Sequence, residues 1–387
     1  MSTPSVQVSI VKCKDYEQNL VYQKVKEAVD LLGGMENFVA PGQKVLLKPN
    51  LVAGRPPDKC VTTHPSVVRA VALLVSEAGA TPLIGDSPQL GAVEKVINKC
   101  GIEDVARELG VDIVDFEPVT VQNPGGKIFK SFTVGKIIKE VDGVINIPKL
   151  KTHALTVLTL AVKNLFGCIP GARKAQWHVK THEAGIEYFA QAILDLHYFV
   201  NPVLNIVDGV MGMEGMGPGF GDPRHLGFLV AGPDGVAVDR IICELLSIRV
   251  NRIPILTVAL REGYGVGKLE DIHVVGEKVE DLRVSDFKLP RGEDLPTKII
   301  GIFKKPLKAY LTTHPVIKQE QCAACELCCK ACPLHCIAAE EGALKIDEDS
   351  CIQCLCCIEI CPNGAIDLKP GGLLRAYQGM KNFFGEV

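Results

Sequence analysis

Two short cysteine runs constrain this chain more than any other feature. Residues 322–333 read CAACELCCKACP and residues 351–362 read CIQCLCCIEICP. Both fit C-x2-C-x2-C-x3-C-P, on Cys322, Cys325, Cys328 and Cys332 and again on Cys351, Cys354, Cys357 and Cys361. Eleven of the sixteen cysteines fall between residues 322 and 361. The N-terminus, MSTPSVQVSI, has no basic flank followed by a long apolar core, so no signal peptide is expected. No run reaches the roughly 18 uncharged apolar residues of a membrane span, and ALTVLTLAV stops at Lys163. A cytoplasmic chain is the simplest expectation, and there crowded thiols do not persist as disulfides. They are expected to hold metal.

The paired runs resemble those of bacterial two-cluster ferredoxins over residues 319–369. In that pattern three cysteines of one run and the closing cysteine of the other grip each [4Fe–4S] cluster. The resemblance implies Cys322, Cys325, Cys328 and Cys361 for the first cluster, and Cys351, Cys354, Cys357 and Cys332 for the second. Two-residue gaps wrap the backbone around a cube face, and the proline stops the helix before the chain crosses over. Zinc held by CxxC pairs is the alternative; two complete copies with x3-C-P endings weigh against it. Cys329, Cys336 and Cys356 lie outside the repeat and read as packing residues. Cys13, Cys60, Cys100, Cys168 and Cys243 read as small buried hydrophobes. Nine acidic residues against three lysines in 320–369 give this region an acidic skin suited to water or to a basic redox partner.

Upstream, apolar strand-like runs alternate with amphipathic helical stretches. VQVSIV, KVLLK, PLIG, VDIVDF, GVINI, VLNIV, LGFLVAG and DIHVVG read as strands, and residues 19–32, 65–78, 92–108, 184–198 and 234–246 as helices. This spacing predicts an α/β fold, a mostly parallel sheet with helices on both faces. Pro65 suits a first helical turn, with a preceding threonine as its cap. The expected divisions are an α/β body over 1–276, a linker over 277–318, the ferredoxin-like α+β domain over 319–369 and an amphipathic helix over 370–387.

Between Gly143 and His182 there is no Asp or Glu, yet Lys149, Lys151, Lys163, Arg173, Lys174 and Lys180 stand there. In parallel α/β sheets, ligands bind beyond the carboxyl ends of strands. Polar residues collect at those ends: Lys48 and Asn50, Asp86, the NIPKLKTH run, and Asp208. Buried lysines need countercharge. An incoming carboxylate or phosphate is one source; distant acids such as Asp86, Asp208, Glu214 or Asp239 are the other. The candidate anion site comprises Lys48, Asn50, Asp86, Lys151, Lys163, Asn164 and Asp208, with Lys149, His153 and His178 as catalytic candidates. The glycine-rich stretch 213–225 reads as a lid over this cleft. No P-loop or dinucleotide fingerprint occurs, no organic cofactor is assignable, and a net charge of −3 demands no nucleic acid.

Six stretches also resemble a family catalogued as domain of unknown function 362: KPNL at 48–51, TTHP at 62–65, GDSP at 85–88, NIPKLKTH at 146–153, KNLFG at 163–167 and DGVMGMEGMGP at 208–218. The resemblance spans about residues 5–275. It implies a frequent C-terminal ferredoxin module and anaerobic or strictly reducing metabolism, and it carries no substrate. The resulting expectation is a ferredoxin-coupled oxidoreductase that takes electrons from a redox partner protein to a small anionic substrate. A non-catalytic electron-transfer adaptor, or a non-redox enzyme with structural clusters, are the alternatives.

Overall fold

A computed structural model of the chain describes residues 6–88, 93–171, 173–290, 313–340 and 342–370. They divide into two compact units, one ending at Leu289 and the other starting at Pro290. The first unit thus runs beyond the expected boundary at 276. The segment past Gly276 packs on the body: the Val284 N–H donates to the Leu245 carbonyl at 2.7 Å, and Arg224 pairs with Asp286 at 2.7 Å. Residues 291–312 of the expected linker and the expected helix at 370–387, past Pro370, lie outside the described residues.

The strands of the first unit are β1 (Val6–Lys12), β2 (Lys44–Pro49), β3 (Thr81–Ile84), β4 (Asp112–Ile113), β5 (Pro118–Gln122), β6 (Ser131–Gly135), β7 (Gly143–Ile147), β8 (Lys149–His153), β9 (Val157–Thr159), β10 (Leu204–Glu214), β11 (Asp222–Gly232) and β12 (Ile272–Gly276). Its helices are α1 (Gln18–Asp30), α2 (Pro65–Glu77), α3 (Val93–Lys99), α4 (Ile102–Leu109), α5 (Ala161–Asn164), α6 (Arg173–Ala184), α7 (Ile186–Val200), α8 (Gly235–Leu245) and α9 (Pro254–Glu262). The main sheet runs β12-β1-β11-β10-β7-β2-β3-β4, with β8 beside β10 and β9 beside β8. Pairing is parallel from β10 through β7, β2 and β3 to β4.

Two strands depart from parallel: β9 runs antiparallel to β8. β11 runs antiparallel to both β10 and β1. Strands β10 and β11 form a long hairpin whose register reaches Glu214 opposite Asp222. Most of the glycine-rich stretch 213–225 is therefore strand and turn rather than a free lid. The turn is tied down, because the Gly217 N–H donates to Thr152 Oγ1 at 3.1 Å and the Gly215 N–H to the Lys288 carbonyl at 2.7 Å.

The core lies on both sheet faces. Alternation along a strand sends successive side chains to opposite faces, so Leu46, Val144, Val207 and Val230 meet α7, α8 and α9. Val45, Leu47, Ile145 and Leu229 meet α1, α2 and α4. The fold class is α/β, with helices on both faces of a mostly parallel sheet. Helix α2 begins at Pro65 as expected, but its cap is His64, whose Nδ1 accepts from the Ser66 N–H. Thr63 instead donates to the Ile147 carbonyl at 2.6 Å and accepts from the Asn50 N–H at 2.8 Å, tying the end of β2 to the end of β7.

The second unit contains β13 (Thr313–Ile317), α10 (Leu327–Ala331), β14 (Ile337–Glu340), β15 (Ala343–Ile346), α11 (Cys356–Ile360) and β16 (Ile366–Pro370). Strand β13 pairs antiparallel with β16, and β14 with β15. The halves repeat at an offset of 29 residues. Ala324 and Glu326 in one half, and Gln353 and Leu355 in the other, all have positive φ. Non-glycine residues avoid this region unless the surroundings impose it. Alternation with left-handed residues curls a backbone into a concavity whose N–H groups point inward, a form common at iron–sulfur sites.

Candidate functional site

Strand direction brings the polar residues of the first unit together. The break between β7 and β8 falls at Pro148, whose carbonyl accepts the Asp208 N–H at 2.9 Å. Beyond it, Lys149 stands in register with Asp208 on β10. The Lys149 ammonium lies 2.9 Å from the Asp208 carboxylate, with 1% and 0% of the side chains exposed. Tyr16, from the loop before α1, closes this pair. Its hydroxyl accepts from Lys149 Nζ at 2.7 Å and from the Met211 N–H at 3.1 Å, and donates to Asp208 Oδ1 at 2.6 Å. Burial, then the Asp208 charge, pushes the Tyr16 hydroxyl well above the usual phenol range, so it stays protonated. The half-buried Tyr16 and His64 rings stack with centroids 3.6 Å apart, forming a lip over the pair. Burial lowers His64 to about 4, which keeps this imidazole neutral.

A second pair sits at the ends of β2 and β3. Lys48 Nζ lies 2.8 Å from Asp86 Oδ1, again with both side chains buried. The other Asp86 oxygen accepts the Leu51 N–H at 2.8 Å. Gly167 passes so close that a Cβ there would fall 2.0 Å from Asp86 Oδ1. Beside this pair, Lys174 Nζ donates to the Ser87 carbonyl at 2.6 Å. Burial lowers Lys174 to about 7, Asp86 opposing the shift and Lys48 reinforcing it.

Lys151 heads a chain of amides. Its Nζ donates to the Val61 carbonyl at 2.6 Å and to Asn50 Oδ1 at 2.7 Å. Asn50 donates to Asn164, Asn164 to Asn146 and Asn146 to Asn205, at 2.7, 2.8 and 2.9 Å. Asn205 ends the chain on the Gly232 carbonyl at 3.2 Å. Each amide nitrogen points the same way, so the lysine orients the row across the sheet. Lys163 lies over the Phe166 and Phe189 rings, 4.8 and 5.7 Å from the centroids. His153 is buried, its Nδ1 accepting from the Leu155 and Thr156 N–H groups at 3.0 and 3.3 Å. His178 falls on α6, with its side chain outside the described residues.

The second unit has two hollows, and each is lined by one of the expected ligand sets. Cys322, Cys325, Cys328 and Cys361 line the first, with Ile317, Leu344 and Ile366 among their apolar neighbours. Cys332, Cys351, Cys354 and Cys357 line the second, with Ile337, Ile346 and Leu355. Burial, then the neighbouring Cys329, pushes the Cys328 thiol up to about 12. Burial, then Cys354 and Cys351, raises Cys357. Four thiols so crowded ionise together only beside positive charge, and thiolates are what bind iron. The donor chemistry, the inward-curled loops and the apolar lining fit an iron–sulfur cluster in each hollow.

A family model described as Domain of unknown function (DUF362) matches residues 45–244. Thylakoid-associated protein sll1697 of Synechocystis sp. is 39% identical over 286 residues, which cover 73% of this chain and 87% of that protein. The chain belongs to the DUF362 family. A model described as 4Fe-4S binding domain matches residues 344–367, so the DUF362 body is joined to a region with iron–sulfur electron-transfer capacity. Among solved structures, the lactate racemase apoprotein from Thermoanaerobacterium thermosaccharolyticum shares 10% identity at a TM-score of 0.35, covering 60% of this chain and 55% of that one.

Within the DUF362 body, the fold gathers Lys48 with Asp86, Lys149 with Asp208, and Lys151 with Asn50 and Asn164. The countercharge left open between a ligand and distant acids is thus supplied by acids at two of the lysines. Tyr16, His64 and Lys174 were not singled out as site residues. Tyr16 sits in KDYEQ with no pattern to mark it, 133 residues from Lys149. Lys174 carried a signal, since it lies in the acid-free stretch. Cys336, read as a packing residue, lines the second hollow. Among the described residues no helix is long and apolar enough to cross a membrane.

Proposed function

We propose that this DUF362 protein is a two-[4Fe–4S] electron-transfer protein whose C-terminal unit serves a redox reaction of an anionic substrate in the α/β body. One observation carries the reading: the eight pattern cysteines fall into two separate hollows, four sulfurs to each, in the crossed sets that the ferredoxin pattern implies. When bound, each cluster supplies one-electron transfer at a potential set by exposure and by hydrogen bonds to sulfur. The residues of the chain do the rest. Apolar side chains line both hollows and cover Cys328, Cys332, Cys357 and Cys361, while Cys325 stays exposed. The inward N–H groups lower the energy of the thiolates. The acidic skin favours a basic redox partner. We place the chain in the cytoplasm, where its other cysteines remain thiols.

In the body, the reading puts the substrate at the Tyr16–His64 lip, with Lys149 beneath it. There the reading has the Tyr16 hydroxyl release its hydrogen bond to Asp208 Oδ1 and give that proton to the substrate, while Lys149 Nζ and the Met211 N–H still donate to its oxygen and stabilise the anion left behind. The test is anaerobic turnover with a low-potential reductant and a panel of small carboxylates and phosphates. Turnover that Tyr16→Phe abolishes while cluster content is unchanged supports the reading; turnover unaffected by Tyr16→Phe and Lys149→Met removes the body site from it.

A second reading, an adaptor that docks a partner enzyme and relays electrons without binding substrate, is favoured by the internal pairing of Lys48 with Asp86 and Lys149 with Asp208. Ion pairs so complete need no ligand to satisfy them. Equilibrium dialysis separates the two readings, because the adaptor retains no small anion.

A further inference from the structure

The two cysteine hollows are not equivalent. Their halves repeat at 29 residues, so Cys332 and Cys361 are counterparts, as are Cys336 and Ala365. The local geometry follows the repeat closely. His335 and Gly364, one residue earlier, both turn the chain with positive φ, at 53° and 63°. The Cys336 N–H then donates to the Cys332 sulfur at 3.4 Å, and the Ala365 N–H to the Cys361 sulfur at 3.3 Å. Ala365 lines the first hollow and Cys336 the second. Where one half presents a methyl group, the other presents a thiol, and its Sγ lies 3.3 Å from the Cys332 Sγ.

Resting on the two-cluster reading above, we propose that Cys336 is a reserve ligand of the second iron–sulfur site, able to take the corner that Cys332 holds. A thiolate needs only to reach the same iron, and two sulfurs 3.3 Å apart on one wall reach the same corner. The shared turn carries both sulfurs on one short stretch of backbone, with the Cys336 N–H donating to the Cys332 sulfur. A packing role is the competing account: a cysteine fills the space of Ala365 plus one atom and never meets iron. The first hollow has Ala365 at this position and serves as the internal control.

The experiment measures iron and acid-labile sulfide per chain in full-length protein purified without oxygen. The wild type is expected to hold about eight irons, as two [4Fe–4S] clusters require. Cys361→Ala is expected to fall to about four, having no reserve. Cys332→Ala is expected to keep about eight, and Cys332→Ala with Cys336→Ala to fall to about four. A Cys332→Ala protein as depleted as Cys361→Ala, from a wild type that holds its full complement, overturns the reserve ligand and leaves the two-cluster reading standing. A wild type holding only about four overturns both. Should Cys332→Ala fail to fold, the transplanted thiol decides: Ala365→Cys added to Cys361→Ala restores about eight irons if the position supplies a ligand, and leaves about four if it does not.

Discussion

Lys149 and Asp208 face each other in register on neighbouring strands, 2.9 Å apart and shut away from water, with the Tyr16 hydroxyl bonded to both. A buried pair of this kind is costly to break from one side, because the remaining charge has nowhere to go. Lys149→Met is expected to cost about 3–5 kcal/mol, and Lys149→Met with Asp208→Leu to recover only part of it, since the Tyr16 hydroxyl and the His64 N–H then lose their acceptor. Urea unfolding followed by the single tryptophan, Trp177, reads the first unit directly, since it packs on Phe129 and Phe132. A double variant no more stable than the single one contradicts this account of the pair.

Gly167 is required by close approach. A Cβ there would lie 2.0 Å from Asp86 Oδ1 and 2.6 Å from Lys48 Nζ. Gly167→Ala is therefore expected to push the second pair apart and lose about 2 kcal/mol or more. Gly171 has open space around it, but its φ of +48° strains an added side chain, so Gly171→Ala is expected to lose only about 1 kcal/mol. Thermal unfolding of the two variants side by side checks the ranking.

Lys174 predicts a pH dependence. Its folded value of about 7 lies below the ordinary lysine value near 10.5. The unfolded chain therefore binds more protons between those limits, and stability must rise with pH across them. This contribution is complete above the unfolded value and is lost as pH falls through about 7. Lys174→Met is expected to flatten the rise in unfolding midpoint between pH 8 and pH 10. Equal slopes in variant and wild type would show that the amine is charged in the fold.

The amide row gives a directional test. Asn146 accepts from Asn164 and donates to Asn205 and to the Ala161 carbonyl. Asn146→Ala orphans its neighbours at about 1–3 kcal/mol each. Asn146→Asp is expected to cost more at neutral pH, since a carboxylate facing Asn205 Oδ1 and a carbonyl has nothing to donate. Its deficit should shrink on acidification, because the protonated acid regains a donor. Unfolding midpoints of both variants at neutral and mildly acidic pH decide it.

What the sequence disclosed depends on how local each signal is. The cysteine runs and the two sets they form were legible because their spacing is written within twelve residues. Strands and helices were legible from their periodicity. Strand direction was not: LGFLVAG reads the same parallel or antiparallel, and only the β10–β11 hairpin turns it round. The partners of Lys48 and Lys149 were legible as a set of acids but not as pairs, because register alone joins Lys149 to Asp208 across 59 residues. Tyr16 and Cys336 were missed for the same reason. Neither carries a pattern of its own, and each is defined by what the fold sets beside it.

Most directly, the account rests on iron seated among the crossed cysteine sets. Full-length protein prepared anaerobically, analysed for iron, sulfide and zinc and then titrated with a low-potential reductant, tests it. The account predicts about eight irons and eight sulfides per chain, and uptake of about two electrons. Zinc in place of iron, or no electron uptake by folded protein, would contradict it.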